Sequence, residues 1–170
     1  MVLNKIVALI PARSGSKRVK DKNILSIGSK NLINRAIDES LKVKLISQTY
    51  IITDSKKYEK EAINYGAKSM GLRPEEISTE TSSDIEWLKW ALQKLKNIDK
   101  NFTHYIILRP TNPFRTNLTI KKAIEYYFSN SKNNATTTLR SVKKVSEHPG
   151  KMWIKTSENY ISRLLPFNNN

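Results

Sequence analysis

The chain has 170 residues, 38% of them hydrophobic, no cysteine, and a formal net charge of +15. This length fits a single domain, residues 1–170, with a real core, and the missing cysteines exclude disulfides, Cys-ligated zinc and a thiol nucleophile. The apolar run Ile6–Ile10 stops at Pro11 and a basic loop, too short for a signal-peptide core or a membrane span, so a cytoplasmic protein with no membrane partner is expected.

Lys5–Pro11 (KIVALIP) is a continuous apolar run and reads as a buried strand. Ala12–Asn23 is rich in Arg, Ser, Gly and Lys and reads as a loop. From Asn31 to about Val43, Ile33, Ala36, Ile37 and Leu41 fall at helical spacing. Thr49–Thr53 is a second strand, followed by Asp54. Ser55 is placed to cap a helix reaching Tyr65, which Gly66 ends. Ala67–Met70 is a short strand and Gly71–Ser82 a loop. Ser83 or Asp84 caps a helix to about Lys96, with Leu88, Ala91, Leu92 and Leu95 inward and Trp87 and Trp90 as core or shielding residues. His104–Arg109 is a strand broken by Pro110 and Pro113. A helix follows over Asn117–Phe128, with Ile120, Ala123, Ile124 and Tyr127 inward. Ala135–Val142 and Met152–Lys155 are strand candidates. The Asn168-Asn169-Asn170 end, straight after Leu-Leu-Pro-Phe, suggests a chain cut short.

Alternating strands and helices predict an α/β fold, a mostly parallel sheet with helices on both faces. Ligands of such sheets bind at the C-terminal strand ends. Three loops fall there: 12–23, 54–55 and 110–115. The first carries Arg13, Lys17, Arg18, Lys20 and Lys22 beside Ser14, Gly15 and Ser16. Fixed cations with backbone and hydroxyl donors suit a triphosphate attacked at its α-phosphorus. The loop is neither a Walker loop nor a dinucleotide fingerprint. The positive charge also raises a nucleic-acid partner, but Lys42, Lys56, Lys57, Lys60, Lys121 and Lys122 fall on helix faces and no DNA- or RNA-binding signature accompanies them. A basic cleft for a nucleotide is favoured, with no nucleic acid as partner.

Ile10-Pro11-Ala12-Arg13-Ser14-Gly15-Ser16-Lys17 with Lys22-Asn23 resembles the N-terminal signature of the acylneuraminate cytidylyltransferases, the CMP-sialic acid and CMP-nonulosonate synthetases. Thr53-Asp54-Ser55, Arg73-Pro74-Glu75-Glu76 with Thr81 and Ser83, and Leu108-Arg109-Pro110-Thr111-Asn112-Pro113-Phe114-Arg115 resemble further segments of that family. The resemblance extends to about His148-Pro149. It implies a Rossmann-like fold of the nucleotide-diphospho-sugar transferase type. It also implies transfer of CMP from CTP to the anomeric hydroxyl of an acidic sugar, with release of pyrophosphate, and a homodimer. The nearest alternatives are a CMP-3-deoxy-manno-octulosonate synthetase and a non-catalytic nucleotide-binding fragment.

The resemblance implies Arg13 and Lys22 as catalytic cations. It implies Ala12, Arg13, Ser14, Gly15, Ser16, Lys17, Lys22, Asn23, Arg73 and Ser83 around the nucleotide, and Asn23, Arg109, Pro110 and Thr111 around the sugar. Arg109 stands where Gln is commoner, so an arginine is expected to meet the substrate carboxylate or a different sugar. Mg2+ or another divalent cation is implied as cofactor, but the family's C-terminal aspartate pair does not occur in this chain, and its metal ligands are unknown. Among single residues, Asp54 reads as a helix N-cap or as a metal or nucleotide contact. Arg73 and Glu75 read as a binding element or a surface pair, His104 as structural, and His148 as facing the sugar or as a turn residue.

Overall fold

The computed structural model describes residues 5–16, 19–131, 137–142, 152–157 and 160–163. The chain divides into two compact units, Met1–Ala135 and Thr136–Asn170.

The first unit is built on three parallel strands, β1 (Lys5–Pro11), β4 (Ile46–Ile52) and β5 (Phe102–Ile107), in the order β4-β1-β5. The register runs Ala8 opposite Thr49 on one side and Ile106 on the other. Because β1 is central and covered on both faces, its residues from Ile6 to Ile10 are all buried, which is why its sequence is continuously apolar instead of alternating. Ile6, Ala8 and Ile10 point to one face and pack with α1 (Leu32–Leu41), α2 (Lys56–Asn64) and α4 (Asn117–Ser131) through Ile33, Ile37, Tyr58, Ala62, Ile120 and Ile124. Val7 and Leu9 point to the other and pack with α3 (Asp84–Ile98) through Trp87, Ala91 and Leu95. Each fully buried Val, Leu or Ile side chain among them contributes about 1.5–3 kcal/mol by leaving water. Between β1 and α1 lies a small antiparallel hairpin, β2 (Ser26–Ile27) with β3 (Lys30–Asn31).

The helices start where their caps stand. The Asn31 side chain accepts from Asn34 N–H at 2.8 Å, and the Ser55 hydroxyl accepts from Tyr58 N–H at 3.4 Å. The N–H and hydroxyl of Ser83 both donate to the Glu86 carboxylate, a capping box opening α3. The α4 start is held from α1: the Glu39 carboxylate accepts from both the N–H and the side-chain amide of Asn117.

Several boundaries differ from the sequence expectation. Leu41 is not an inner residue; it is 52% exposed at the last turn of α1. Ala67–Met70 is not a full strand. Lys68 alone bridges to β4, donating to Thr49 C=O at 2.8 Å and accepting from Ile51 N–H at 3.0 Å. The chain then turns through Gly71 and reattaches where Arg73 N–H donates to Thr53 C=O at 2.7 Å. β5 begins at Phe102 and ends at Ile107, so Arg109 lies in the following loop. On α3 the fully buried stripe is Trp87, Ala91, Leu95, while Leu88 and Leu92 are half-buried flanks. His104 stacks edge-on against Tyr127 and Phe128, centroids 5.6 and 4.8 Å away, and its burial lowers its pKa.

In the second unit, residues 137–142 carry no regular structure, against the strand expected at Ala135–Val142, whose first two residues lie outside the described set. Of the strand expected at Met152–Lys155, all but Met152 falls in β6 (Trp153–Ser157), which pairs antiparallel with β7 (Tyr160–Arg163). His148 lies outside the described residues.

Candidate active site

All three strands run the same way, so their C-terminal ends deliver the loops 12–23, 53–55 and 108–116 to one edge. The chain leaves β1 for β4 on one side and returns for β5 on the other, which opens a crevice at that edge. A cleft of about 360 Å³ fills it, lined by Pro11, Arg13, Ser16, Lys22 and Asn23 from the first loop, Glu80, and Arg109, Pro110 and Thr111 from the loop after β5. A second lobe of about 200 Å³ shares Pro11, Arg13, Glu80 and Arg109, and adds Arg73, Thr79, Ser82, Asp84 and Trp87.

The first loop is fastened by its own side chains. Asn23 is buried and donates from Nδ2 to Arg13 C=O at 3.1 Å, joining the two ends of the loop. Ser14 donates to Asp54 twice, from N–H and from hydroxyl, each at 2.7 Å. Asp21 sits in the left-handed region (φ 51°, ψ 29°), and its carboxylate accepts from the Tyr58 hydroxyl at 2.8 Å. Gly15 has φ 71°, a conformation that a side chain would strain, and this lets the chain turn between Ser14 and Ser16. Arg13 Nη1 donates to Thr79 C=O at 2.7 Å across the cleft. Ala12 is buried and its N–H belongs to the sheet, donating to Ile52 C=O at 2.9 Å. Lys17 lies outside the described residues.

The second lobe holds a buried cation. Arg73 is 6% exposed, and its Nε donates to the Ser78 hydroxyl at 2.8 Å. Burial lowers its pKa, opposed by the charges of Asp54 and Asp84. Arg109 forms an ion pair with Asp84 at the start of α3, while Trp87 Nε1–H donates to the other Asp84 oxygen at 3.0 Å. The Trp87 N–H first, then the charges of Arg109 and Arg73, hold the Asp84 carboxyl below its usual range against partial burial. Arg115 Nη2 donates to Arg109 C=O at 2.7 Å and stiffens the loop below.

Residues expected near phosphates and near the sugar therefore meet in one cleft: Arg13, Ser16, Lys22 and Asn23 with Arg109, Pro110 and Thr111. Arg73 joins through the second lobe. Ser83 lines neither lobe; its neighbours Ser82 and Asp84 do. Thr79, Glu80, Asp84 and Trp87 are lining residues that sequence reasoning did not single out as site residues. Their polar loop and helix start carry no signal until the fold brings them opposite Arg13. Among the described residues, no group of three or more His, Cys, Asp or Glu is placed to hold a metal ion.

A cytidylyltransferase profile matches residues 7–155. The chain belongs to the cytidylyltransferase family. It is 38% identical to the N-acylneuraminate cytidylyltransferase of Escherichia coli, over 72% of this chain and 28% of that protein. It is 37% identical to the CMP-N,N'-diacetyllegionaminic acid synthase of Legionella pneumophila, over 72% of this chain and 53% of that one. Identity to the pseudaminic acid cytidylyltransferase of Campylobacter jejuni is 29%, over 74% and 54%. The chain thus spans about half or less of the length of these relatives. Among solved structures, a CMP:2-keto-3-deoxy-manno-octonic acid synthetase complexed with CTP superposes with a TM-score of 0.56 at 21% identity, over 75% of this chain and 49% of that one. A cytidylyltransferase from Leptospira borgpetersenii gives 0.55 at 19%, over 75% and 50%. These two likenesses establish a shared cytidylyltransferase fold. No helix among the described residues is long and apolar enough to cross a membrane.

Proposed function

We propose that the cleft binds CTP and an acidic sugar of the sialic or nonulosonic acid class, and transfers CMP to the sugar. The anomeric hydroxyl oxygen attacks the α-phosphorus. The bond from that phosphorus to the bridging oxygen of the β-phosphate breaks, pyrophosphate leaves with the electron pair, and the hydroxyl proton passes to solvent. Arg13 and Lys22 supply fixed positive charge where negative charge gathers on the phosphates. Arg73, a cation already out of water in the adjoining lobe, seats the nucleoside end. Arg109, Pro110 and Thr111 frame the sugar.

The observation that carries this reading is the junction of Arg13 and Lys22 with Arg109 and Thr111 around one cleft at the strand ends. The named activities of the relatives support the choice of sugar class. Mg2+ or another divalent cation belongs to the proposal as counter-ion of the triphosphate. The described residues offer no cluster of three or more His, Cys, Asp or Glu for it. A cytoplasmic location and a homodimer complete the reading.

The test is pyrophosphate release from CTP and Mg2+ with a panel of acidic sugars. Release with a nonulosonic acid, and weaker release with 3-deoxy-manno-octulosonate, is expected. No release with any sugar, together with no binding of CTP, contradicts it.

A further inference from the structure

Asp54 has no place in the transfer just described, and it does not cap α2, because Ser55 does. Its carboxylate is instead occupied by Ser14, on both oxygens: Oδ1 accepts the backbone N–H and Oδ2 the hydroxyl, each at 2.7 Å. Four residues on, Tyr58 reaches the far end of the same loop through Asp21 at 2.8 Å. Tyr58 is buried, so this anchor is fixed in the core. One short stretch, the end of β4 and first turn of α2, therefore grips the first loop just after Arg13 and just before Lys22.

From this geometry we infer that Asp54 is a positioning residue for phosphate binding, acting through Ser14, with Tyr58 as the second point of attachment acting through Asp21. The inference rests on the nucleotide reading above. The reason is entropic. A loop that must present Arg13, Ser16 and Lys22 to one polyanion loses affinity for every arrangement it samples other than that one. Charge-assisted bonds from a carboxylate to a backbone N–H and a hydroxyl are the strong kind, and here they join residues far apart in sequence. They also fix the direction in which the Ser14-Gly15-Ser16 turn faces.

The test is calorimetric titration of the full chain with CTP and, separately, with cytidine, which shares the base and ribose but has no phosphate. The variants are Asp54→Ala, Asp54→Asn, Ser14→Ala and Tyr58→Phe, each checked for folding by circular dichroism. Asp54→Ala is expected to weaken CTP about tenfold or more while cytidine stays within about twofold. Asp54→Asn, which keeps one carbonyl acceptor, falls between Asp54→Ala and wild type. Ser14→Ala, which loses the hydroxyl bond alone, gives a smaller loss in the same direction, and so does Tyr58→Phe. If Asp54→Ala does not fold, Ser14→Ala and Tyr58→Phe decide. An unchanged ratio of CTP to cytidine affinity in folded variants overturns the inference and leaves the nucleotide reading standing. A wild-type chain that does not prefer CTP to cytidine overturns the nucleotide reading and the inference together.

Discussion

The Tyr58 hydroxyl donates to the Asp21 carboxylate at 2.8 Å, tying the core of the first unit to the residue just before Lys22. Burial first, and this bond to Asp21 second, raise the Tyr58 pKa. A tyrosine whose folded pKa is raised stabilises the protein fully below its unfolded value of about 10, and that contribution fades as pH climbs above it. Chemical denaturation of wild type and Tyr58→Phe between pH 7 and 11 is the check. At pH 7 the variant should be about 1–2 kcal/mol less stable. The difference should shrink as pH rises past about 10. A constant difference would mean that the hydroxyl is not held as described.

Lys22 is half-buried at the cleft, and among the described residues its side chain makes no hydrogen bond or ion pair that the substitution would break. Lys22→Ala should therefore change stability by less than about 0.5 kcal/mol. Its turnover should fall about a hundredfold or more, the usual cost of removing one fixed group that stabilises developing charge. Denaturation midpoints beside pyrophosphate-release rates separate the two effects.

Arg109 faces both lobes while paired with Asp84. Both side chains are half or more exposed, so breaking the pair should cost at most about 1 kcal/mol of stability. Arg109→Gln should raise KM for the sugar about tenfold, the loss of one charge-assisted contact, with KM for CTP within about twofold. Steady-state kinetics with each substrate varied in turn checks this. An equal rise in both would place Arg109 on the nucleotide.

Gly66 closes α2 at φ 106°, and a Cβ there would meet Leu41 Cδ1 at 3.0 Å. Gly66→Ala should destabilise by about 1–2 kcal/mol, mostly from the backbone conformation, since the end of the exposed Leu41 can move aside. The companion Leu41→Ala should relieve little of it. Thermal melts of the single and double variants measure both quantities.

The elements that the sequence resolves best are those whose environment repeats along the chain. The strand Lys5–Pro11 is legible because burial on both faces demands an unbroken apolar run. Ser55 and Ser83 are legible because a cap is a local contact. The hairpin at Ser26–Asn31 escapes because two-residue strands have no periodicity, although Gly28 marks its turn. Leu41 misleads because spacing cannot tell where a helix runs past the body it packs on.

The cleft divides the same way. Arg13 and Lys22 stand out as a basic cluster after a strand. The bonds that shape the site do not, because Ser14 with Asp54, Asp21 with Tyr58, and Asp84 with Arg109 are each far apart in sequence. Nothing local in Thr79 or Glu80 says that they will face Arg13.

The most direct measurement is a crystal structure of the chain grown with saturating CTP. The account predicts triphosphate density among Arg13, Ser16 and Lys22, with the cytosine end directed to the lobe that holds Arg73. Nucleotide bound elsewhere on the molecule, or a cleft that stays empty at saturating CTP, would contradict it.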